Sequence, residues 1–365
     1  MYGWIGCYLR IDLGSGTVRK ESLPAELARK YLGGRGLGTH FMMTEVDPKI
    51  DPLDQKNKLI FAAGPLSGTN APSASHFDVV SKGPLNGTIA ASSSGGIFGP
   101  MLKYAGYDMI ILEGKSAKPV YLWICDDVVE IRDAADLWGK TVPETTEAIR
   151  STTDEDASVA CIGPAGERQV LFANIMNECG RAAGRSGVGA VMGTKNLKAI
   201  AVRGTGAVRV PDIKAFRDTV VRASAKIKAN SVGGQGLRNF GTDVLVNILN
   251  ELGGLPTRNF TDGYFPTADK VGGASLAKQL LIRPRGCYAC IISCGRATKV
   301  TNPKFAGQGE GPEYETAWAF GPDCGIDNLD AITKANYICN DYGMDTITMG
   351  SSVACAMNLF TNGVI

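Results

Sequence analysis

The spacing of apolar residues changes once along the chain, near residue 209, and this change constrains the fold more than any other feature. Before it, short runs of apolar and β-branched residues are separated by Gly and Pro, which predicts strands. After it, apolar residues recur at three- and four-residue steps, which predicts helices. We therefore predict an α+β protein, with a sheet-rich N-terminal domain at residues 1–208 and a mostly α-helical domain at residues 209–365.

Individual elements follow from the same periodicity. The predicted strands are WIGCYLRIDL, KLIFAAG, HFDVVSK, MIILEG, VYLWICD, VVEIRD, ASVACIG and KAIAVRG. Helices are predicted early in the chain at ELARKYLG, residues 37–46 and TVPETTEAIRSTT. Later helices are predicted at IKAFRDTVVRASAKIKAN, DVLVNILNEL, ASLAKQLL, LDAITKANYICNDYG and TMGSSVACAMNLF. The last of these is apolar along much of its length, so we expect another chain or further sequence to cover it.

Composition excludes several classes of partner. The chain has a formal charge of +2 and no dense basic run, which argues against nucleic acid. No stretch has the length of a membrane span, and the N-terminus lacks the pattern of a signal peptide, so we expect a cytoplasmic protein without a membrane partner. Several of the 10 cysteines cluster in one loop, which favours metal binding in a reducing compartment over disulfide bonds.

The clustered cysteines are Cys287, Cys290 and Cys294, at C-x-x-C-x-x-x-C spacing in RGCYACIISCGR. A third Cys so close to a C-x-x-C pair favours a thiolate-ligated centre over a dithiol redox site. The spacing suits an iron–sulfur cluster and a zinc ion equally well. It supplies one thiolate fewer than such centres usually take, and a zinc ion that only pins the loop is the structural alternative.

Two glycine-rich stretches are candidates for binding an anion. SSSGGIFG at residues 92–99 and CGRAAGRSGVGAVMG at residues 179–193 combine small residues with arginines, so that backbone N–H groups can face a phosphate. Tight turns between packed strands are the structural alternative. The second stretch contains G-x-G, but the strand predicted at TKNLKAIAV stands where a Rossmann unit has a long helix, so we expect no nicotinamide cofactor.

Two further segments carry polar groups. GPLSGTNAPSASHFDVV is a third loop of small residues, and GEGPEYETAWAFG places Glu310, Glu313 and Glu315 shortly after the cysteines. A carboxylate beside a metal cofactor can act as an acid or a base, whereas an acidic loop on a solvated surface is the structural alternative. The chain contains 2 histidines, which excludes a site built from several histidines.

Taken in order, these segments resemble the tungsten-containing aldehyde ferredoxin oxidoreductases over nearly the whole chain. The resemblance implies a tungsten or molybdenum ion held by two pyranopterins, whose phosphates are joined through Mg2+, and a 4Fe-4S cluster nearby. It implies oxidation of an aldehyde to a carboxylic acid, with electrons passing through the cluster to ferredoxin. The segments that carry it are MYGWIGCYLRIDL, LGGRGLG, KLIFAAGPLSGTNAP, SSSGGIFG, LKYAGYDMIILEGKSAKPVYL, IGPAGE, NECGRAAGRSGVGAVMGTKNLKAIAVRG, CYACIISCGR and GPEYETAWAFG.

The resemblance also assigns roles to single residues. It makes Cys287, Cys290 and Cys294 the first three cluster ligands and Glu315 a carboxylate near the tungsten with a candidate acid–base role. The residues that match pterin- or Mg2+-contacting positions are Ser93, Gly95, Arg181, Ala182, Gly184, Asn340, Gly343, Met344 and Asp345.

Three positions depart from the family pattern. His76 replaces an Arg that bridges pterin and cluster, which keeps a hydrogen-bond donor but loses a fixed charge. Asn340 replaces an Asp that accepts hydrogen bonds from the pterin ring. KANY at residues 334–337 replaces an E-x-x-H that binds a metal between subunits, so we expect no interface metal, although the resemblance leaves room for a homodimer.

Family members continue beyond the matched region, where they carry the fourth cluster Cys. We therefore expect the fourth ligand on a C-terminal part missing from this sequence or on a second polypeptide, with Cys324, Cys339 and Cys355 as alternatives. Two other hypotheses remain: a related catalytic subunit acting on a non-aldehyde substrate such as an aromatic thioester, and a non-catalytic protein that retains the fold.

Overall fold

The computed structural model describes all 365 residues, whose contacts divide the chain into two compact units. The first unit comprises Met1–Arg222 with two short segments, Cys287–Cys290 and Asp341–Met344. The second comprises Ala223–Gly286, Ile291–Asn340 and Asp345–Ile365. The two short segments bring part of the cysteine loop and part of NDYGMDT into the first unit. The domain boundary after residue 208 stays a prediction.

The first unit contains both large sheets. Its strands are β1 (Cys7–Asp12), β2 (Thr17–Ser22), β3 (Leu59–Ala63), β4 (Phe77–Lys82), β5 (Ile89–Ser94), β6 (Met109–Glu113), β7 (Val120–Cys125), β8 (Val128–Asp133), β9 (Ser158–Cys161), β10 (Ile175–Asn177), β11 (Arg181–Ala183) and β12 (Leu197–Arg203). Its helices are α1 (Ala25–Tyr31), α2 (Gly34–Glu45), α3 (Phe98–Tyr104), α4 (Val142–Thr152), α5 (Pro164–Glu167) and α6 (Val188–Thr194). Each strand and helix predicted in this part of the sequence is confirmed.

The two sheets have six strands each. Their orders are β2-β1-β6-β3-β4-β5 and β11-β10-β9-β12-β7-β8. In the first sheet β1 pairs in parallel with β6, and in the second β12 pairs in parallel with β7, while the other pairings are antiparallel. The central strand β3 is a continuous apolar run, and β12 is apolar apart from Lys198 and Arg203, because both faces of these strands are buried.

One core lies between the two sheets, and it includes α3 and α6. Residues of the first sheet such as Phe61, residues of the second such as Ile200, and residues of both helices belong to a single buried cluster. All seven residues of α6 are buried, which suits a helix of small and apolar residues with no polar face. The outer face of the first sheet packs with α1 and α2, and that of the second with α4. Both glycine-rich stretches therefore lead into helices inside the core.

Local signals account for where α4 begins. Thr141 and Glu144 form a capping box, in which the side chain of each residue satisfies a backbone N–H of the other. Pro143 occupies the first turn, where its missing N–H costs no helical hydrogen bond.

The second unit is mostly helical. The helix α7 (Ile213–Ala229) begins in the first unit and is followed by α8 (Leu237–Phe240), α9 (Val244–Glu251), α10 (Gly273–Gln279), α11 (Tyr314–Phe320), α12 (Leu329–Tyr342) and α13 (Thr346–Thr361). The unit also contains β13 (Leu281–Arg285), β14 (Gly295–Val300) and β15 (Gly307–Glu310), which form an antiparallel sheet. The predicted helices and the α+β class are confirmed, whereas this small sheet was not predicted. No helix in the structure combines the length and apolar character needed to cross a bilayer.

Candidate cofactor site

The turn that follows β5 is fixed by one buried amide. Asn177, at the end of β10, is 1% exposed, and its side chain accepts a hydrogen bond from Ser94 Oγ at 2.6 Å. Its Nδ2 donates to the carbonyl of Gly95 at 2.9 Å. A Cβ at Gly96 would lie 2.4 Å from Asn177 Nδ2, and Gly96 has a φ of +93°. Glycine at position 96 thus allows the close approach of Asn177 and adopts a backbone conformation that is unfavourable for other residues.

Cys287 approaches the same turn. A Cβ built at Gly95 would lie 2.6 Å from Cys287 Sγ and 3.6 Å from His76 Nε2. The N–H of Tyr288 donates to the carbonyl of Gly96 at 3.1 Å. Three segments therefore meet within the first unit: the first glycine-rich stretch, the small-residue loop that ends at His76, and the cysteine loop. They can approach this closely because Gly95 has no side chain.

The rest of the Cys287–Cys290 segment is tied to the small-residue loop at residues 64–76. Ser73 Oγ lies 3.4 Å from Cys290 Sγ. Tyr104 and Tyr288 share a hydrogen bond of 2.7 Å between their hydroxyl groups, and Tyr104 also donates to the carbonyl of Gly68 at 2.8 Å. Burial raises the pKa of Tyr104, so that its hydroxyl stays protonated and able to donate.

The two glycine-rich stretches lie side by side. The N–H of Arg185 donates to Ser92 Oγ at 3.1 Å, and β11 begins at Arg181, which pairs with Asn177 on β10. Arg181 Cγ lies 3.6 Å from the Cβ position of Gly96. Of the other residues predicted here, Ser93 is exposed, and Ala182 and Gly184 are half-buried. The structure thus brings the predicted phosphate-facing residues of both stretches to one edge.

Gly343 and Met344 belong to the first unit, where Asn174 holds them. The N–H of Asn174 donates to the carbonyl of Gly343, and its Nδ2 donates to that of Met344, both at 2.9 Å. Gly343 has a φ of +75°, and a Cβ at Gly163 would lie 2.3 Å from the carbonyl oxygen of Tyr342. The IGPAGE segment therefore needs a glycine so that the backbone at residues 342–344 can pack against it.

The other two residues predicted in NDYGMDT belong to the second unit. Asn340 Nδ2 donates to the carbonyl of Glu310 at 3.3 Å. Asp345 is the N-cap of α13 and accepts hydrogen bonds from the N–H of Ile347 at 3.0 Å and from Thr348 Oγ1 at 2.6 Å. Asp345 therefore has a structural role, and the roles of both residues toward a pterin stay predictions.

Carboxylates of the second unit surround the start of α11. Glu315 is exposed and accepts a hydrogen bond from the indole N–H of Trp318 at 2.8 Å. Glu313 is half-buried and accepts a hydrogen bond from the hydroxyl of Thr242. Asp243, next to that threonine, is 1% exposed, and neither of its carboxyl oxygens has a hydrogen-bond partner. Burial, together with the negative charge of Glu313, raises the pKa of Asp243 well above its ordinary value.

Cys294 is followed in the second unit by a buried arginine that organises its backbone. The Arg296 side chain is 1% exposed, and it donates hydrogen bonds to the carbonyls of Ser293, Cys294 and Gly295 at 2.6, 3.1 and 2.9 Å. It also donates to the carbonyls of Arg238 and Asn239. Burial lowers the pKa of Arg296, yet guanidinium remains charged at neutral pH. The loop at Cys294 is thus built around a fixed positive charge.

Several residues of these clusters were missed by sequence reasoning. Asn177 lies two residues before the second glycine-rich stretch, at the end of an otherwise apolar strand, and that polar residue was a usable signal. Ser73 carries no such signal, because its partner Cys290 is 217 positions away in the sequence. Asp243 and Arg296 carry none either, because only the folded structure shows that each of them is buried.

Comparison with known proteins identifies the family. The model of the aldehyde ferredoxin oxidoreductase N-terminal domain matches residues 8–204, and that of domains 2 and 3 of the same proteins matches residues 218–365. The chain belongs to the aldehyde ferredoxin oxidoreductase family. The resemblance seen in the sequence is therefore confirmed.

The relatives of this family member carry names that refer to different substrates. The tungsten-containing aldehyde ferredoxin oxidoreductase of Pyrococcus abyssi is 50% identical over all of this chain and 60% of its own length. The WOR-like subunit of aliphatic sulfonate oxidoreductase from Pyrococcus furiosus is 31% identical over all of this chain and 61% of its own length. The chain spans about 60% of the length of these curated relatives.

A solved structure has the same fold. The active-site complex BamBC of benzoyl coenzyme A reductase with 1,5-dienoyl-CoA contains a chain that superposes with a TM-score of 0.87 at 28% identity. The match covers all of this chain and 57% of that one.

The residues of the first unit fit the groups that the family name implies. The position that a Cβ of Gly95 would fill lies beside the thiol of Cys287 and the imidazole of His76. Thiolates are the ligands of iron–sulfur clusters. Small residues and arginine meet at the adjoining edge, as a phosphate-bearing cofactor requires. No group of three or more His, Cys, Asp or Glu side chains is arranged to hold a metal ion, so the set of three cysteines stays a prediction.

Proposed function

We propose that this chain is the cofactor-bearing part of an enzyme that oxidises aldehydes to carboxylic acids. Its cofactors are a tungsten or molybdenum ion held by two pyranopterins joined through Mg2+, and a 4Fe-4S cluster that passes electrons to ferredoxin. The reaction takes up water and releases two protons and two electrons for each aldehyde. The rest of the enzyme, including the fourth cluster ligand, is supplied by further sequence or a second polypeptide.

The observation that carries this proposal is the meeting of Gly95, Cys287 and His76 in the first unit. The turn at Gly95 leaves room for the thiol of Cys287, a predicted cluster ligand, beside the predicted pterin-binding stretch. This arrangement suits a centre that must deliver electrons singly, because thiolate clusters are one-electron carriers. The 50% identity with an enzyme named for aldehyde and ferredoxin supports the substrate and the acceptor.

Residues of the first unit would hold the pterin phosphates and Mg2+. Ser93, Gly95, Ala182 and Gly184 offer backbone and hydroxyl groups without bulky side chains, and Arg181 adds a fixed positive charge. Gly343 and Met344 are held in place by Asn174. The pterin-binding roles proposed for Asn340 and Asp345, in the second unit, rest on the family resemblance alone. Cys287, Cys290 and Cys294 would ligate the cluster, and His76 would donate a hydrogen bond between pterin and cluster.

When bound, the tungsten centre supplies transfer of oxygen to the aldehyde carbon with uptake of two electrons. Glu315 would accept a proton released in this reaction, and its hydrogen bond from Trp318 orients the carboxylate. Glu313 is the nearest alternative in the sequence. It is the N-cap residue of α11, and its carboxylate accepts a hydrogen bond from Thr242.

A non-aldehyde substrate is the second candidate. The TM-score of 0.87 with a chain of the benzoyl coenzyme A reductase complex supports it, as does the 31% identity with a sulfonate oxidoreductase subunit. The higher identity with an aldehyde enzyme favours the first candidate.

The test is metal and pterin analysis of the anaerobically purified protein, assembled with its remaining part, followed by assays with aldehydes, sulfonates and aromatic thioesters. We expect tungsten or molybdenum with pterin, about four irons per chain, and reduction of ferredoxin with aldehydes. Zinc alone would contradict the proposal, and loaded protein active only on another substrate would establish the second candidate.

A further inference from the structure

The hydroxyl of Ser73 is placed against a predicted cluster ligand. Ser73 Oγ lies 3.4 Å from Cys290 Sγ, and this thiol is the one hydrogen-bond partner of the hydroxyl in the structure. By contrast, Thr146 Oγ1 lies 4.0 Å from Cys161 Sγ but donates to the carbonyl of Val142 at 2.9 Å. The Ser73 contact is therefore a dedicated hydroxyl–sulfur pair.

The backbone on both sides of this pair is fixed. Ser73 has a φ of +62°, a conformation that costs energy for a residue with a Cβ. Across from it, Cys290 donates its N–H to the carbonyl of Cys287 at 3.1 Å, and Ala289 has a φ of +52°. Tyr104, the last residue of α3, ties the two loops together a second time, because its hydroxyl bonds both to the hydroxyl of Tyr288 and to the carbonyl of Gly68. The hydroxyl is thus held at the sulfur by constraints on both loops.

We propose that Ser73 donates a hydrogen bond to the thiolate of Cys290 and so raises the reduction potential of the 4Fe-4S cluster. This inference rests on the proposed function. Reduction adds one electron and therefore one negative charge to the cluster and its ligands. A hydrogen bond to a ligand sulfur stabilises that added charge, so the reduced form gains more than the oxidised form. Ser73 acts through Cys290 and is a positioning residue.

The consequence is a match between donor and acceptor. Two electrons leave the aldehyde together, whereas ferredoxin accepts one at a time. The cluster must therefore be reducible by the electrons from the aldehyde and oxidisable by ferredoxin. A single neutral hydroxyl adjusts the potential without the larger change that a charged donor would cause. The small-residue loop GPLSGTNAPSASHFDVV thereby contributes two groups beside the cysteines, Ser73 and His76.

The experiment compares Ser73→Ala and Ser73→Gly with the unaltered protein in the complete enzyme. Both variants remove the hydroxyl, and Gly also relieves the positive φ. Ser75→Ala is the control, because Ser75 lies in the same loop and its buried Oγ has no hydrogen-bond partner. The readouts are iron content and the midpoint potential of the cluster, measured by electron paramagnetic resonance during a redox titration.

We expect both Ser73 variants to retain iron and to shift the midpoint to more negative potential, while Ser75→Ala leaves it unchanged. The expected shift is about threefold to tenfold in the equilibrium constant for reduction, or about 28 to 59 mV for one electron. A shift in Ser73→Ala but not in Ser73→Gly would assign the effect to the backbone and overturn the inference. Loss of iron from both variants would overturn it in favour of a purely structural role.

The failure of this inference is distinguishable from failure of the proposed function. An unaltered enzyme that contains no iron–sulfur cluster contradicts both. A cluster whose potential is the same in all of these proteins contradicts the role of Ser73 alone and leaves the proposed function standing.

Discussion

Asn177 is joined to Gly95 by a hydrogen bond of 2.9 Å from its side-chain amide to the glycine carbonyl, across 82 positions of sequence. The oxygen of the same amide group accepts a hydrogen bond from the hydroxyl of Ser94, so Asn177 binds both residues at the turn that follows β5. Because Gly95 also leaves room for Cys287, this one side chain positions the backbone around which the candidate site is built.

Replacing Asn177 by Ala should destabilise the first unit and impair cofactor retention. The change leaves a buried hydroxyl and a buried carbonyl without partners, at a cost of about 1–3 kcal/mol. Urea unfolding measures the stability, and pterin analysis measures retention. Asn70→Ala, at an exposed position, is the control and should change stability by less than about 0.5 kcal/mol. Equal stability of the Asn177 variant and the unaltered protein would contradict this prediction.

Gly95→Ala should displace Cys287 and lower the iron content. The added Cβ would lie 2.6 Å from the sulfur, a separation that requires the thiol or the turn to move. We expect iron analysis of the anaerobically assembled enzyme to show loss of most of the cluster. Gly64→Ala is a matched control, since its Cβ would meet its nearest neighbour at 3.9 Å. Full iron content in Gly95→Ala would mean that Cys287 is not held to the cluster as proposed.

Glu315→Gln should lower kcat by about 10²- to 10⁴-fold if this carboxylate accepts a proton in the reaction. The amide oxygen can still accept the hydrogen bond from Trp318, so the change removes the charge and keeps the contact. The measurement is aldehyde oxidation by the complete enzyme with an artificial electron acceptor. Glu313→Gln is the parallel variant, and a large loss there with normal activity in Glu315→Gln would transfer the acid–base role to Glu313.

The stability of the protein should depend on pH through Asp243. Its pKa is raised in the folded state above the ordinary 3.8, so the folded state binds the proton more tightly than the unfolded state does. The stabilisation is fully present below pH 3.8 and is lost as pH rises through the raised pKa. Glu313 opposes ionisation of Asp243, whereas Arg296 favours it.

The matched variant is Asp243→Asn, which cannot ionise. We expect it to be more stable than the unaltered protein at neutral pH, by a margin that shrinks as the pH falls toward 5. Urea unfolding at several pH values measures this margin. Asp218→Asn, at an exposed position on α7, should show no such trend. A margin that grows on acidification would contradict the assigned direction.

Local chemistry explains which elements were predictable. β3 is a continuous apolar run and β12 is a mostly apolar one, and α4 begins at a capping box that can be read directly from TVPETTEAIRSTT. The three-stranded sheet of the second unit was missed because IRPR contains a proline and GQGE is rich in glycine, which are poor strand formers. Those strands exist because β14 pairs with both β13 and β15, and such pairing cannot be read from a short window of sequence.

The sequence by itself determined the α+β class, the family, and the cysteine and glycine-rich segments on which the proposed function depends. These features are either periodic or contiguous, so hydrophobic spacing and motif order are sufficient to recognise them. The tertiary structure alone decided that Asn177 clamps Gly95, that Ser73 meets Cys290 and that Asp243 is buried without a partner. Each of these depends on side chains that are brought together by the packing of distant segments, and burial then gives a single hydrogen bond or an unpaired carboxyl its energetic weight.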